Sequence, residues 1–362
     1  MAESFRVAGR RPWITALLVA VSLVGLYLID RDLARIERNE LAAQANRYFS
    51  QAQRDASEKR YDAAIPLYRR ALILERGSPI YRIALGKALM SADQPKEATT
   101  VLATVLNEDS NNGEANLQMA RLLRQANDPA GAAAYYHRAI YGSWPSGSGN
   151  QGLHVRLELA QMLADQGRER ELLAELLLIE DDTREMPEVQ LRVARWYQRA
   201  GFLERAASVF RRILDADAVA GAAYEGLGDA ELAMGNYRSA QNAYMAALRR
   251  GQNDVSDRLI AAVELTQLDP TIRRLTAGER LQRSERVLTR VLGVTARCPV
   301  VAESQKRARE ELAKEKRRRS VDYERFLSIA EEIWRTSRQS CPAVIEADTT
   351  LTAVLNRLAQ QP

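Results

Sequence analysis

A repeated spacing of 34 residues constrains the fold of this chain more than any other feature of its sequence. A residue at the start of the second helix, small in five of six copies, recurs at steps of 34, 34, 40, 34 and 34, and two further columns recur at the same steps. The columns are Ala64, Ala98, Ala132, Leu172, Ala206 and Ala240; the bulky residues Tyr68, Leu102, Tyr136, Leu176, Phe210 and Tyr244; and the first-helix residues Ala52, Gly86, Ala120, Ala160, Ala194 and Gly228. A helical hairpin buries only one face by itself, so stacked copies are needed to complete its core. The spacing therefore predicts an all-α solenoid.

Residues 221–250 contain the clearest copy of this hairpin. Gly235 and Asn236 separate two stretches whose apolar residues recur at helical spacing. Gly228 has no side chain to hold the two helices apart, so we expect a close helix crossing there. The aromatic, leucine, glycine, alanine and aromatic positions of this copy resemble the tetratricopeptide repeat: Tyr224, Leu227, Gly228, Ala240 and Tyr244. Glu231 departs from the family pattern, which prefers an aromatic residue at that position.

The resemblance covers roughly residues 45–254 and implies a solenoid that binds other proteins. Successive repeats start near residues 45, 79, 113, 153, 187 and 221, and an unpaired first helix follows at 255–267. In this family the first helices line a concave groove. The corresponding partner-binding positions are Lys87, Leu117, Arg121, Arg124, Leu191, Arg195 and Arg199, with Phe49 and Leu157 among them. Arginines beside apolar residues suit an extended acidic segment of a partner, and the alternative is that they are ordinary solvated arginines.

An uncharged run of 18 residues precedes the repeats, at 12–29. As a helix it would span about 27 Å, close to the roughly 30 Å hydrocarbon core of a bilayer. The competing interpretation is a cleaved signal peptide, but the small-x-small site at 43–45 lies too far beyond the apolar run. We therefore predict a single N-terminal transmembrane helix.

The short tail before this run sets the predicted orientation. Residues 1–11 contain three arginines and the terminal amine, which makes the tail costly to translocate. We predict that the N-terminus is cytoplasmic and that the repeats lie in a bacterial periplasm, with the chain anchored in the inner membrane.

The predicted organisation follows from these signals. A cytoplasmic tail (1–11) and the anchor (12–29) lead into a helical stalk (30–44) and repeats one to three (45–146). A connector loop (147–152) precedes repeats four to six with the unpaired helix (153–268), and a helical region (269–362) ends the chain. The glycines of the connector match a dinucleotide-binding string, but that motif works only between a strand and a helix. We interpret residues 141–152 as a flexible connector, with Trp144 as a possible contact for a partner.

The C-terminal region is predicted to contain an α-hairpin closed by a disulfide. Thr276 and Glu279 form a capping-box pattern that opens a helix, and further helices are predicted at 301–318, 321–339 and 349–359. Cys298 and Cys341 are each followed by proline. A turn near residues 319–320 would bring them together, whereas one uninterrupted helix would separate them by roughly 60 Å. An oxidising compartment favours the disulfide.

The sequence contains no recognisable catalytic or metal-binding motif. Two histidines and two cysteines do not have the spacing of a standard zinc site, and neither a nucleophile elbow nor a phosphate loop is present. A net charge of +5 is too small and too dispersed to indicate nucleic-acid binding. We predict no enzyme activity, no metal and no cofactor.

These patterns favour a membrane-anchored scaffold or adaptor that mediates protein–protein interactions in the assembly or stabilisation of an envelope complex. One alternative is a permanent accessory subunit of a large membrane complex. An alternative from a different class is an enzyme with its site in residues 270–362. A partner is expected to be a protein, contacted through acidic extended segments, and the membrane is expected to be contacted through residues 12–29.

Overall fold

The computed structural model of the chain describes residues 12–145, 149–216, 220–272, 275–315, 323–342 and 348–359. These residues are almost entirely α-helical. The helices are α1 (Pro12–Ser57), α2 (Tyr61–Leu74), α3 (Pro79–Ser91), α4 (Pro95–Glu108), α5 (Gly113–Gln125), α6 (Pro129–Ile140), α7 (Gln151–Asp165), α8 (Glu169–Asp182), α9 (Pro187–Arg199), α10 (Leu203–Ala216), α11 (Ala220–Met234), α12 (Tyr237–Arg249), α13 (Ser256–Leu268), α14 (Ala277–Val294), α15 (Ala302–Glu315), α16 (Tyr323–Ser340) and α17 (Thr349–Leu358).

The chain forms two compact units, residues 1–161 (unit 1) and 162–362 (unit 2). In unit 1, α1 packs on α2, α3 on α4, and α5 on α6. In unit 2, α9 packs on α10, α11 on α12, and α13 on α12. Helices α3, α5 and α9 begin at the predicted repeat starts, so the sequence spacing gave the correct hairpin phase there. The division into repeats and terminal regions that the sequence predicts is finer than these two units.

The repeated columns form the core of the hairpins. Every residue of the three columns is buried. A Cβ atom on Gly228 would lie 2.5 Å from the Tyr244 ring, and one on Gly86 would lie 2.9 Å from the side chain of Leu102. The predicted close crossing is therefore present, because a side chain at the small position would occupy the space of the bulky residue.

Local capping fixes the starts of second helices. Pro95 and Pro129 are the first residues of α4 and α6, where a missing backbone donor costs nothing. The Asp128 side chain accepts a hydrogen bond from the backbone N–H of Gly131 at 2.9 Å, as expected of an N-cap.

Glu231 is buried, and its carboxylate is satisfied within unit 2. Asn236 Nδ2 donates to Glu231 Oε2 at 2.8 Å, and Arg211 forms an ion pair with the other oxygen. The departure from the aromatic residue of the family pattern is thus compensated by a hydrogen-bonded ion pair.

Helix α1 continues without interruption for 46 residues, through the predicted anchor and stalk into the first repeat. In the part of the chain that the structure describes, no helix combines the length and the apolar character of a membrane span. The predicted tail, residues 1–11, and the side chains of residues 12–16 and 18 lie outside the described residues.

The C-terminal region has the predicted helices. Thr276 and Glu279 exchange the two hydrogen bonds of a capping box at the start of α14, and the hydrogen bonds from Thr276 hold the pKa of Glu279 below its usual range. Helices α15 and α16 are separate and pack together, while the predicted turn between them lies outside the described residues. The predicted disulfide joins Cys298 to Cys341, with 6.1 Å between their Cα atoms.

Candidate functional site

Unit 1 contains an open cavity of about 630 Å³ between α1, α3, α5 and the loop that follows α6. Phe49, Ile80, Ile83 and Trp144 are among its apolar lining residues. The Phe49 ring stacks on Tyr81 with 4.5 Å between centroids, so this part of the wall is fixed by packing. The volume lies within the range of roughly 300–1,000 Å³ that is usual for binding pockets.

The loop after α6 is held against the start of α5. The backbone N–H of Gly113 donates to the carbonyl of Ser143 at 2.9 Å, and the N–H of Ser143 donates to the carbonyl of Asn111 at 2.7 Å. Trp144 Nε1 donates to the carbonyl of Ala139 at 3.0 Å. Residues 141–145 are therefore fixed, which corrects the expectation of a flexible connector for this part; residues 146–148 lie outside the described residues.

Gly113 explains how the Trp144 ring fits beside α5. A Cβ atom at residue 113 would lie 2.5 Å from two atoms of the ring. Only glycine lets the indole pack directly on the backbone at this helix start.

The cationic side chains predicted to line the groove in unit 1 are mostly paired with acids. Lys87 Nζ lies 3.3 Å from Glu114 Oε1. Arg121 donates two hydrogen bonds to Glu158, one of them at 3.0 Å. These hydrogen bonds raise the pKa of Arg121, although burial opposes the rise. Arg124 is exposed.

A second cavity, of about 380 Å³, lies in unit 2 between α9 and α11. Arg195 and Arg199 form one wall, and Glu225 and Asp229 form the other. Both arginines are exposed, and neither has an ion-pair partner among the described residues of unit 2. Their positive charges remain available to a ligand.

The two acids of this cavity are already bound by Arg258. Arg258 donates to both oxygens of Asp229 and to Glu225, each at 2.8 Å. The Tyr244 hydroxyl also donates to Asp229 at 2.7 Å. Burial lowers the pKa of Arg258, but the hydrogen bonds and charges of the two acids outweigh it and raise the pKa overall.

All four apolar positions predicted to face the groove are buried in the core: Phe49, Leu117, Leu157 and Leu191. Leu117 is 6 % exposed and Leu191 is 8 % exposed. Because little of either side chain is accessible, neither can offer a partner much apolar surface. Whether any of the predicted groove residues binds a partner stays a prediction.

The sequence does not indicate the contacts that hold α17 in unit 2. Arg357 Nη1 donates to the Tyr237 hydroxyl at 2.6 Å and lies 3.4 Å from the fully buried Asp269. At the start of the helix, Asp348 pairs with Arg290. Tyr237, Asp269 and Arg357 are up to 120 residues apart in sequence, so no local pattern brings them together.

No group of three or more histidine, cysteine or acidic residues in the described ranges has the geometry of a metal site.

Residues 55–122 match the family described as Tetratricopeptide repeat. A search of curated proteins finds no significant match. Similar solved structures include PilW, a type IV pilus biogenesis factor, at 17 % identity, covering 60 % of this chain and 98 % of that one with a TM-score of 0.41. The pilF structure of Pseudomonas aeruginosa has 14 % identity, coverage of 62 % and 99 %, and a TM-score of 0.42. The Naa15/Naa10 complex bound to HypK-THB has 15 % identity, coverage of 87 % and 51 %, and a TM-score of 0.48.

Proposed function

Because this chain carries tetratricopeptide repeats in residues 55–122, we propose that it is a membrane-anchored scaffold that holds partner proteins together in an envelope complex. In this proposal the cavity between α9 and α11 captures an extended acidic segment of a partner. The observation that carries the proposal is the pair of exposed arginines, Arg195 and Arg199, which line a cavity and have no acidic partner in the described part of unit 2.

The spacing of the two arginines matches an extended peptide. Four residues of helix separate them by about 6 Å along the axis of α9. In an extended strand, alternate side chains point to the same side and lie about 6.6–6.8 Å apart. Two acidic residues separated by one residue could therefore each meet one guanidinium group, through charge-assisted hydrogen bonds.

The opposite wall of the cavity is compatible with an acidic ligand. Glu225 and Asp229 are both held by Arg258, whose single positive charge offsets one of their two negative charges. In unit 1, by contrast, Arg121 already binds Glu158, and an incoming carboxylate would have to displace that acid. The proposal therefore assigns acidic recognition to unit 2.

Short synthetic peptides test this assignment. A peptide with two glutamates separated by one residue, in a background of serine and threonine, should bind the full chain more tightly than the matching glutamine peptide. Arg195→Glu/Arg199→Glu should weaken glutamate-peptide binding by about tenfold or more, equivalent to about 1.4 kcal/mol. Fluorescence anisotropy of labelled peptides measures the affinities.

A matched control makes the same charge change elsewhere in unit 2. Arg170→Glu/Arg249→Glu alters two exposed arginines on the second helices α8 and α12, and should leave peptide binding unchanged. Equal binding of the glutamate and glutamine peptides, or undiminished binding by Arg195→Glu/Arg199→Glu, would reject acidic recognition at this cavity.

The proposal further assigns residues 12–29 to a single-pass anchor in the inner membrane, with a cytoplasmic N-terminus and periplasmic repeats. The uncharged run and the arginines of the short tail before it support this assignment. Protease added to spheroplasts should digest the repeats and leave a membrane-protected fragment that ends near residue 35. Intact repeats, while a known periplasmic protein is digested, would contradict this topology.

A further inference from the structure

We propose that the cavity walled by Trp144 in unit 1 is a second binding site, which takes an uncharged extended segment of a partner protein carrying one bulky apolar side chain. The proposal rests on the scaffold function, but it uses no residue of the acidic site in unit 2. It is carried by the fixed aromatic walls, the exposed apolar surface and the charge balance of the cavity.

The walls of this cavity are held in place before any ligand arrives. Trp144 is fixed by its hydrogen bond to the carbonyl of Ala139 and by its packing on Gly113. On the other side, the Phe49 ring stacks on Tyr81. Rigid aromatic walls lower the entropy that is lost on binding, because few side chains need to be ordered.

The cavity exposes apolar surface that a partner can cover. Ile80, on the first turn of α3, is 63 % exposed and lines the cavity together with Trp144. Insertion of an apolar side chain against both residues would remove apolar area from water, which is favourable at about 25 cal/mol per Å². A phenylalanine or leucine side chain supplies such area.

The charges of the cavity disfavour a charged ligand. Its two charged lining residues, Lys87 and Glu114, are paired with each other at 3.3 Å. An additional carboxylate or ammonium group would be desolvated there without a free counter-charge, and this is costly. Charge complementarity therefore favours an uncharged segment.

One polar group of the cavity is suited to the backbone of an extended peptide. Gln53 is exposed on α1, and its amide has no hydrogen-bond partner in the described ranges. A primary amide both donates and accepts, so it can bind a peptide N–H and a peptide C=O. A backbone contact of this kind would orient the segment without requiring a particular side chain.

A peptide with a single central phenylalanine, in the serine and threonine background used for the acidic site, tests the proposal with the full chain. It should bind more tightly than the same peptide with a central aspartate. Ile80→Ser should weaken phenylalanine-peptide binding by about fivefold or more, because the apolar contact is lost. Gly113→Ala should also weaken binding, since the new methyl group displaces the Trp144 ring.

Ile73→Ser is the matched control, because Ile73 is 66 % exposed on α2 and does not line the cavity. This variant and Arg195→Glu/Arg199→Glu should bind the phenylalanine peptide like the unaltered chain. Circular dichroism should show the same helicity for Ile80→Ser and Ile73→Ser. Unchanged binding by Ile80→Ser, or equal affinity for the phenylalanine and aspartate peptides, would overturn the proposal. Failure of this peptide alone rejects the second site, whereas failure of the glutamate peptide alone rejects acidic recognition in unit 2 and leaves the second site standing.

Discussion

Unit 1 and unit 2 each carry an arginine at the same repeat position, but only the arginine of unit 1 is paired with an acid. Arg121 and Arg195 each follow the small residue of a first helix by one position. Arg121 is bound by Glu158 on α7. The residue of the sixth repeat that corresponds to Glu158 is Gly226, which has no side chain to offer Arg195. Whether the arginine at this position is free to bind a ligand therefore depends on the residue that the next repeat places beside it.

The glycine that leaves Arg195 without an acid also has a packing role. A Cβ atom at Gly226 would lie 2.3 Å from the Phe210 ring. Phe210 is fully buried, so its ring could not move aside without disturbing the core of unit 2. Core packing in unit 2 therefore excludes the acid that neutralises the equivalent arginine in unit 1.

A covalent link provides a further contrast between the units. In the described residues, unit 2 contains a disulfide and unit 1 contains none. Replacement by Cys298→Ser/Cys341→Ser should lower the free energy of unfolding of unit 2 by about 2–4 kcal/mol, because the loop that the disulfide closes gains entropy in the unfolded state. Hydrogen exchange followed by mass spectrometry should show faster exchange in α14 and α16, with α3 and α5 unchanged.

Reduction of the unaltered chain with a thiol is the control for the serine substitutions, and it should give the same pattern of exchange. Non-reducing peptide mapping of protein recovered from the envelope should recover Cys298 linked to Cys341. Two alkylatable thiols in that material would contradict both the bridge and the proposed periplasmic location.

Removal of the Arg121 side chain should change the free energy of unfolding less than removal of the disulfide. Arg121→Ala should destabilise unit 1 slightly, and a double-mutant cycle with Glu158→Ala should give a coupling free energy of about 0.2–1 kcal/mol, because both side chains are partly exposed. Arg195→Ala should leave the free energy of unfolding unchanged, since it breaks no ion pair. Urea denaturation measures both. An equal loss of stability from Arg121→Ala and Arg195→Ala would show that the two arginines are not paired differently.

Much of the fold could be predicted because its signals are local or repeat at a fixed interval. The small and bulky columns place Gly228 against Tyr244, and the capping box fixes the start of α14. The disulfide was also predictable, because a hairpin between Cys298 and Cys341 needs only a helix break between them. The exposure of the candidate site residues could not be predicted in this way, since Leu117 and Leu191 occupy the expected repeat positions but are buried. Repeat position fixes which helix face a residue occupies, whereas exposure also depends on the side chains that neighbouring helices bring to that face.

The sequence by itself determined the all-α hairpins of the repeats and their phase, because helical periodicity and small-residue contacts act within one repeat. The tertiary structure decided which arginines are neutralised and where Trp144 lies. It also decided that Arg357 meets Tyr237 and Asp269. These contacts join residues that are far apart in sequence, so their energies depend on the distances and burial that packing of the helices creates. Ion pairing and desolvation act through space, and the order of residues along the chain does not specify them.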